Sequence, residues 1–419
     1  MSLVLKNGIY IDFSTLDFIS KDVILSSDRQ TLTFTDYNTY IPEAGDQVAD
    51  CSGKYITHSF ADAYLRPGLS LASKAKIFTK RETTYFRYVS DILWNVDKVL
   101  DKDLVYASAL YAAINAARNG TTFAICRNES SNFIEGALSI VKQAFEEVGI
   151  SSLQSYAACE ADGYAVAERA VNENAQFLSA NQGLMGIAAS YLASKELFSV
   201  VANVCKEKNI GLLINAAEDE LDQINSMRDY RRSVVLRLYE SGMMDFRSTI
   251  LANANYISDD ERSYIKNKPA WIAHNAIGNF RRGTKPFNSI WLDNILLGSD
   301  FSGSSMPEVA SHAFFSSLAT DNDLLLKDVY KRLRAVHTYT KVNNFDGDGD
   351  NNLIVFDNNS PFELNKENFI KHLVYNYNAF DIKLVIAKGK IVVKNNHAVQ
   401  IDEKEVLKFI KEQADRITL

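Results

Sequence analysis

The sequence predicts an α/β protein: a (β/α)8 TIM barrel with a small β-sandwich domain formed by both chain ends. Three observations carry that expectation. Eight strand-like runs alternate with amphipathic stretches through the middle of the chain, short alternating pieces fill the first 57 residues, and strand signals return towards the end. The expected division is 1–57 and 345–400 for the composite sandwich, 58–344 for the barrel and 401–419 for a closing helix.

The opening pieces are "LVLKNGIYIDF", "DVILSS" and "TLTFTD", broken by Asn-Gly and Ser-Asp pairs that favour turns. The eight runs that follow are "YITHSFADAY", "TTFAIC", "LQSYAACE", "QGLMGIAA", "GLLINAA", "STILANA", "AWIAHN" and "NILLGSD". Between them the helical period is plain. In "NFIEGALSIVKQAFEEVGIS", Ile134, Leu138, Val141, Phe145 and Val148 recur at steps of three and four, and Gly149 is the stop. "SDDERSYIK" opens another helix with a capping box, in which Ser258 and Glu261 satisfy each other's backbone donors. After the barrel, "NLIVFD" and "IKLVIAKGKIVVKNNHAVQ" read as strands and "DEKEVLKFIKEQADRI" as the last helix.

The chain has 419 residues, is 47% hydrophobic and carries a formal charge of −7. That is enough apolar material for a large core. The acidic balance argues against nucleic acid or an anionic membrane as partner, since both call for clustered Lys and Arg. Cys51, Cys126, Cys159 and Cys205 are scattered without a CxxC, as suits buried thiols in a reducing compartment. With no signal-peptide pattern and no 18-residue apolar run, the expected location is cytoplasmic.

"FDGDGDNNLIVFD" places Asp346, Asp348 and Asp350 at alternate positions, as a calcium loop does. The rest of that pattern fails. Its sixth position is Asn351 rather than glycine, its twelfth is Asp357 rather than glutamate, and an apolar strand follows where an EF-hand needs a helix. The expectation is a polar turn leading into a strand.

Several landmarks, "DCSGKYITHSFADAYLRPGLS", "GLLINAAEDELD", "STILANANYIS", "IAHNAIGN", "ILLGSDFSGS" and "GDGDNNLIVFDNNSP", together resemble the amidohydrolase superfamily. The resemblance is to its aminohydrolase and chlorohydrolase (cytosine-deaminase-like) branch, most closely the SsnA-type aminohydrolases. Members of that branch hydrolyse C–N or C–Cl bonds of nitrogen heterocycles with a metal-activated water. The resemblance implies two histidines at alternate positions of the first barrel strand, one each at the ends of the fifth and sixth, and an aspartate ending the eighth. The matching positions here hold Tyr64 and Arg66, Asn215, Asn253 and Asp300. A histidine of the family after the fourth strand matches Ala188, and another in the sixth-strand motif matches Tyr256. Glu218 resembles the glutamate that handles the substrate-side proton, and Asp300 the metal ligand and proton shuttle. His58, His274, His312, His337, His372 and His397 stand away from the ligand positions, and His274 is expected to be a core or hydrogen-bonded residue.

Imidazole, thiolate and carboxylate bind zinc, whereas amides are weak donors and a guanidinium keeps its charge. The expectation is therefore a chain without cofactor, the family's divalent metal being absent, in which Arg66 stands in for the cation by pairing with Asp300 or Glu218. The expected function is that of an amidohydrolase-like protein with a degenerate metal site, noncatalytic or ligand-binding. The alternative is a metal-independent hydrolase or deaminase acting on a purine-like or other nitrogen heterocycle through Asp300 and Glu218. A small heterocyclic ligand and a homodimer are the partners the resemblance implies.

Overall fold

The computed structural model describes residues 2–26, 28, 31–72, 84–300, 305–320 and 324–417. Six short strands open the chain: β1 (Leu3–Lys6), β2 (Ile9–Ile11), β3 (Phe18–Leu25), β4 (Leu32–Asp36), β5 (Gln47–Asp50) and β6 (Tyr55–His58). Eight more follow in the middle of the chain: β7 (Phe60–Leu65), β8 (Thr121–Asn128), β9 (Ser151–Tyr156), β10 (Met185–Ala189), β11 (Leu212–Ala216), β12 (Ile250–Asn253), β13 (Trp271–His274) and β14 (Ile295–Leu297). Four close it: β15 (Leu353–Asn358), β16 (Phe380–Ala387), β17 (Lys390–Lys394) and β18 (His397–Ala398).

The first and last groups interleave in one ten-stranded sheet, ordered β18-β17-β16-β15-β6-β2-β3-β1-β5 with β4 on β3. Its pairs are antiparallel except β1 with β5 and β2 with β6. The middle group is wholly parallel, in sets β7-β8-β9 and β10 to β14. Single parallel bridges join these sets: Gln154 to Gly183 and Ala158 to Ile187 on one side, Leu65 to Asp300 on the other. Parallel strands need crossover connections, and helices supply them. Helix Lys102–Arg118, capped by the Asp101 carboxylate, and helix Ala137–Val148, stopped by Gly149 at φ 95°, are two of these.

Sequence and structure differ in two instructive places. Ile134 is buried as its apolar periodicity suggests, but the helix begins only at Ala137, because Gly136 takes a left-handed φ of 86° just before it. The run "YITHSFADAY" is two strands and not one. Its first half pairs with β15 and β2, its second with β8, and Ser59 between them donates its N–H to Asn352 O at 3.0 Å. The capping box at Ser258 and Glu261 forms as the sequence predicts. Among the described residues no helix is long and apolar enough to cross a membrane.

Arg334 on helix Leu326–Val342 fastens that junction. Its Nη1 donates to the carbonyls of His58 (3.1 Å) and Ser59 (2.8 Å), and its guanidinium lies 4.7 Å from the Phe60 ring centroid. Elsewhere the parallel strands sit backbone to backbone. A Cβ at Gly186 on β10 would collide with the Tyr156 carbonyl oxygen and Ser155 Oγ of β9. Gly186→Ala is expected to force these strands apart and to lower stability by about 3 kcal/mol, read from the urea unfolding midpoint.

Candidate functional site

The candidate site lies where the parallel strands end. Asp300 follows β14, is fully buried, and is locked to the end of β7: its N–H donates to Tyr64 O (2.8 Å) and its carbonyl accepts from Arg66 N (2.9 Å). Its φ of 64° turns the carboxylate, and Asn253 at the end of β12 adopts a similar φ of 73°. Non-glycine residues take this region at a cost, and such outliers concentrate at functional sites. Glu218 follows β11 through Ala217, another left-handed residue at φ 49°.

One guanidinium joins the two acids. Arg282, in the last turn of helix Ala276–Arg282, ion-pairs through Nη1 with Asp300 Oδ2 and places Nε 2.8 Å from Glu218 Oε1. All three side chains are at least 95% buried. Burial opposes the charge on Arg282, but Asp300 and Glu218 outweigh it and hold its pKa above the usual value. The backbone makes room: a Cβ at Gly278 would run into Asp300 Oδ2.

A hydrogen-bond chain feeds Glu218 from below. Tyr64 OH donates to Asn215 Oδ1 (2.7 Å), and Asn215 Nδ2 donates to Glu218 Oε2 (2.7 Å). Burial pushes the Tyr64 phenol up to about 12, so it acts as a donor. From the other side Tyr85 OH donates to the same Oε2 at 2.7 Å. Asn253 Oδ1 accepts from Asn275 Nδ2 at 3.0 Å, while its own Nδ2 has no hydrogen-bond partner among the described residues. Asp300 Oδ1 is likewise buried without such a partner. Beneath the strand ends, Asp62 accepts from Tyr64 N and Ser299 N, both at 3.0 Å, and burial raises its carboxyl to about 6.

Arg66 does not pair with Asp300 or Glu218, and that expectation is corrected. Its Nη2 ion-pairs with Glu129, just after β8, which also takes Arg127 Nη1 at 2.6 Å and Nη2 at 2.9 Å. Burial favours a neutral Glu129, but Arg127 and then Arg66 outweigh it and hold the carboxyl below its usual value. Arg66, Arg127, Glu129, Asn215, Glu218, Arg282 and Tyr85 line one pocket, whose non-atom space, including its opening to solvent, is about 440 Å³. Tyr64, Asn253 and Asp300 lie buried around it. Residues 301–304 of the "SDFSGS" landmark are outside the described residues. The sequence reading missed Arg282, Tyr85 and Glu129; the one available signal was "RRG", an arginine pair against a helix-stopping glycine.

His274 is a buried core residue, as expected. Neither ring nitrogen has a hydrogen-bond partner among the described residues; the ring packs against Phe287 at 5.0 Å, and burial lowers its pKa to about 3.

No family model matches the chain. It is similar to aminohydrolases of the amidohydrolase superfamily, the branch its motifs resemble. A 5'-deoxyadenosine deaminase of Methanopyrus kandleri is 25% identical over 354 residues, which cover 79% of this chain and 80% of that one. A 5-methylthioadenosine/S-adenosylhomocysteine deaminase of Thermococcus sibiricus is 24% identical over 422 residues, 94% of each. Among solved structures, an adenosine deaminase from Xanthomonas campestris with bound zinc superposes with a TM-score of 0.82 at 13% identity, covering 99% of this chain and 98% of that one.

The expectation of a chain without a metal cofactor is overturned on two counts: the zinc of that solved neighbour, and a group of possible metal donors within this chain. At the strand ends the acids are Asp300 and Glu218, both engaged by Arg282, and their neighbours are amides and phenols. That set does not match the donors zinc prefers. The described residues that fit are His58, His337 and Asp348, whose donor atoms lie within 4.8 Å of one another. They sit away from the pocket, by the Ser59 junction.

Removing the shared guanidinium leaves two buried carboxylates unpaired. Arg282→Met is expected to cost about 3–5 kcal/mol, against a smaller loss for Arg66→Met, where Glu129 keeps Arg127. Urea titration of the two variants checks this, and equal losses would contradict it.

Proposed function

We propose that this protein is a hydrolase of the deaminase type, removing the exocyclic amine of a purine-like heterocycle at the pocket beside Glu218. The observation that carries the reading is the pair of buried carboxylates, Glu218 and Asp300, joined by Arg282 at a pocket lined by charged and polar side chains. The names of the relatives, deaminases of adenosine derivatives, support it over a noncatalytic role. In this reading the eight parallel strands close as a (β/α)8 barrel and the ten-stranded sheet folds into the β-sandwich domain.

The roles follow from the hydrogen bonds. Asp300 Oδ1, with no partner among the described residues, accepts one proton of the attacking water and hands it to the exocyclic amine, which leaves as ammonia. Glu218 carries the second proton from the new hydroxyl to the ring nitrogen beside that carbon, held in place by Asn215 and, through it, by Tyr64. Arg282 keeps the two acids apart and balances their charge. Tyr85 covers Glu218 and moves aside when the heterocycle takes its place.

Ammonia release from adenosine, 5'-deoxyadenosine, methylthioadenosine and guanine, with and without added zinc, tests the proposal. Turnover of at least one is expected, falling by about 100-fold or more in Glu218→Gln and in Asp300→Asn. Binding of these compounds without ammonia release would return the chain to a ligand-binding protein.

A further inference from the structure

We infer that His58, His337 and Asp348, with the carbonyl oxygen of Gly349, form a site for a divalent transition metal of the zinc class, which fastens the loop before β15 to β6 and to helix Leu326–Val342. Each side chain offers a donor atom within 4.8 Å of the other two, and the imidazole rings of His58 and His337 stand edge to face with centroids 4.4 Å apart. Two histidines and one carboxylate suit zinc and its neighbours in the transition series and are a poor set for calcium, which takes oxygen.

Two further observations point to an ion. First, His58 faces a carbonyl oxygen with each nitrogen: Nδ1 is 3.1 Å from Ser59 O, and Nε2 is 3.0 Å from Gly349 O. A neutral imidazole has one N–H and satisfies only one of these; the other contact sets lone pair against lone pair. A cation between Nε2 and Gly349 O turns that repulsion into two bonds. Second, the His337 side chain is 91% buried, and its Nε2 has no hydrogen-bond partner among the described residues. Its Nδ1 lies 2.8–2.9 Å from the Asp348 carboxylate, which Thr340 Oγ1 also contacts at 2.8 Å.

The nearest cation does not fill the site. Arg334 directs Nη1 to the carbonyls of His58 and Ser59. Of the three aspartates in the "FDGDGD" turn, only Asp348 faces inward; Asp346 and Asp350 are exposed. The alternating acids therefore supply one ligand to a histidine site and do not encircle an ion by themselves.

Zinc alone is the probe. Chelator-treated full-length protein is titrated with zinc, and the zinc-loaded wild type is examined by X-ray absorption at the zinc edge. Expected are scattering from two imidazoles, a loss of zinc affinity of about 100-fold or more in His337→Ala and in Asp348→Asn, and unchanged affinity in Asp300→Asn. The wild-type spectrum decides even if a variant fails to fold. Absence of zinc binding, zinc without imidazole ligands, or zinc lost in Asp300→Asn but kept in His337→Ala overturns the inference. None of these readouts depends on ammonia release, so failure here and failure of the deaminase reading are distinguishable.

Discussion

The buried contact among Arg282, Glu218 and Asp300 is the constraint around which the strand ends are organised. Two acids this far from water call for a compensating charge between them. Every local peculiarity of the site serves that arrangement. Left-handed backbone at Ala217 and Asp300 turns the acids, Gly278 leaves room for the Asp300 carboxylate, and Gly283 ends the helix so that Arg282 occupies its last turn. Asn215 and Tyr85 complete the bonding of Glu218.

A second buried cluster, Glu129 with Arg66 and Arg127, lies across the same pocket and shows why charge alone does not name a partner. Both clusters put acids and guanidinium groups together in buried surroundings, yet among the described residues they share no ion pair. The pocket between them is lined by fixed charges of both signs.

Much of this was legible in the chain itself. The alternating strand-like runs follow from period, and attention to positions 64, 215, 218, 253 and 300 followed from the family resemblance of their motifs. The pairing of Arg66 was not. Arg66 directly follows β7, beside both Asp300 and Glu129, since that strand touches Asp300 on one side and β8 on the other; spacing within one segment cannot say which acid wins. Arg282 was hidden for a different reason: helix Ala276–Arg282 is short, and no periodicity tells that its final turn folds back over the strand ends. The histidine group was less visible still. Residues 58, 337 and 348 come from a strand, a helix and a turn, so no ligand spacing exists to be read, and the alternating aspartates drew attention to the wrong oxygen atoms.

The Ser59 junction sets how the two sheets share mechanical load. A single residue separates a strand of the ten-stranded sheet from the first parallel strand, and its N–H, its carbonyl and the carbonyl before it are all bound, to Asn352 and Arg334. There is no slack at that point for torsion. Swivelling one sheet against the other would have to break these bonds together, so the pair transmits force as one stiff body.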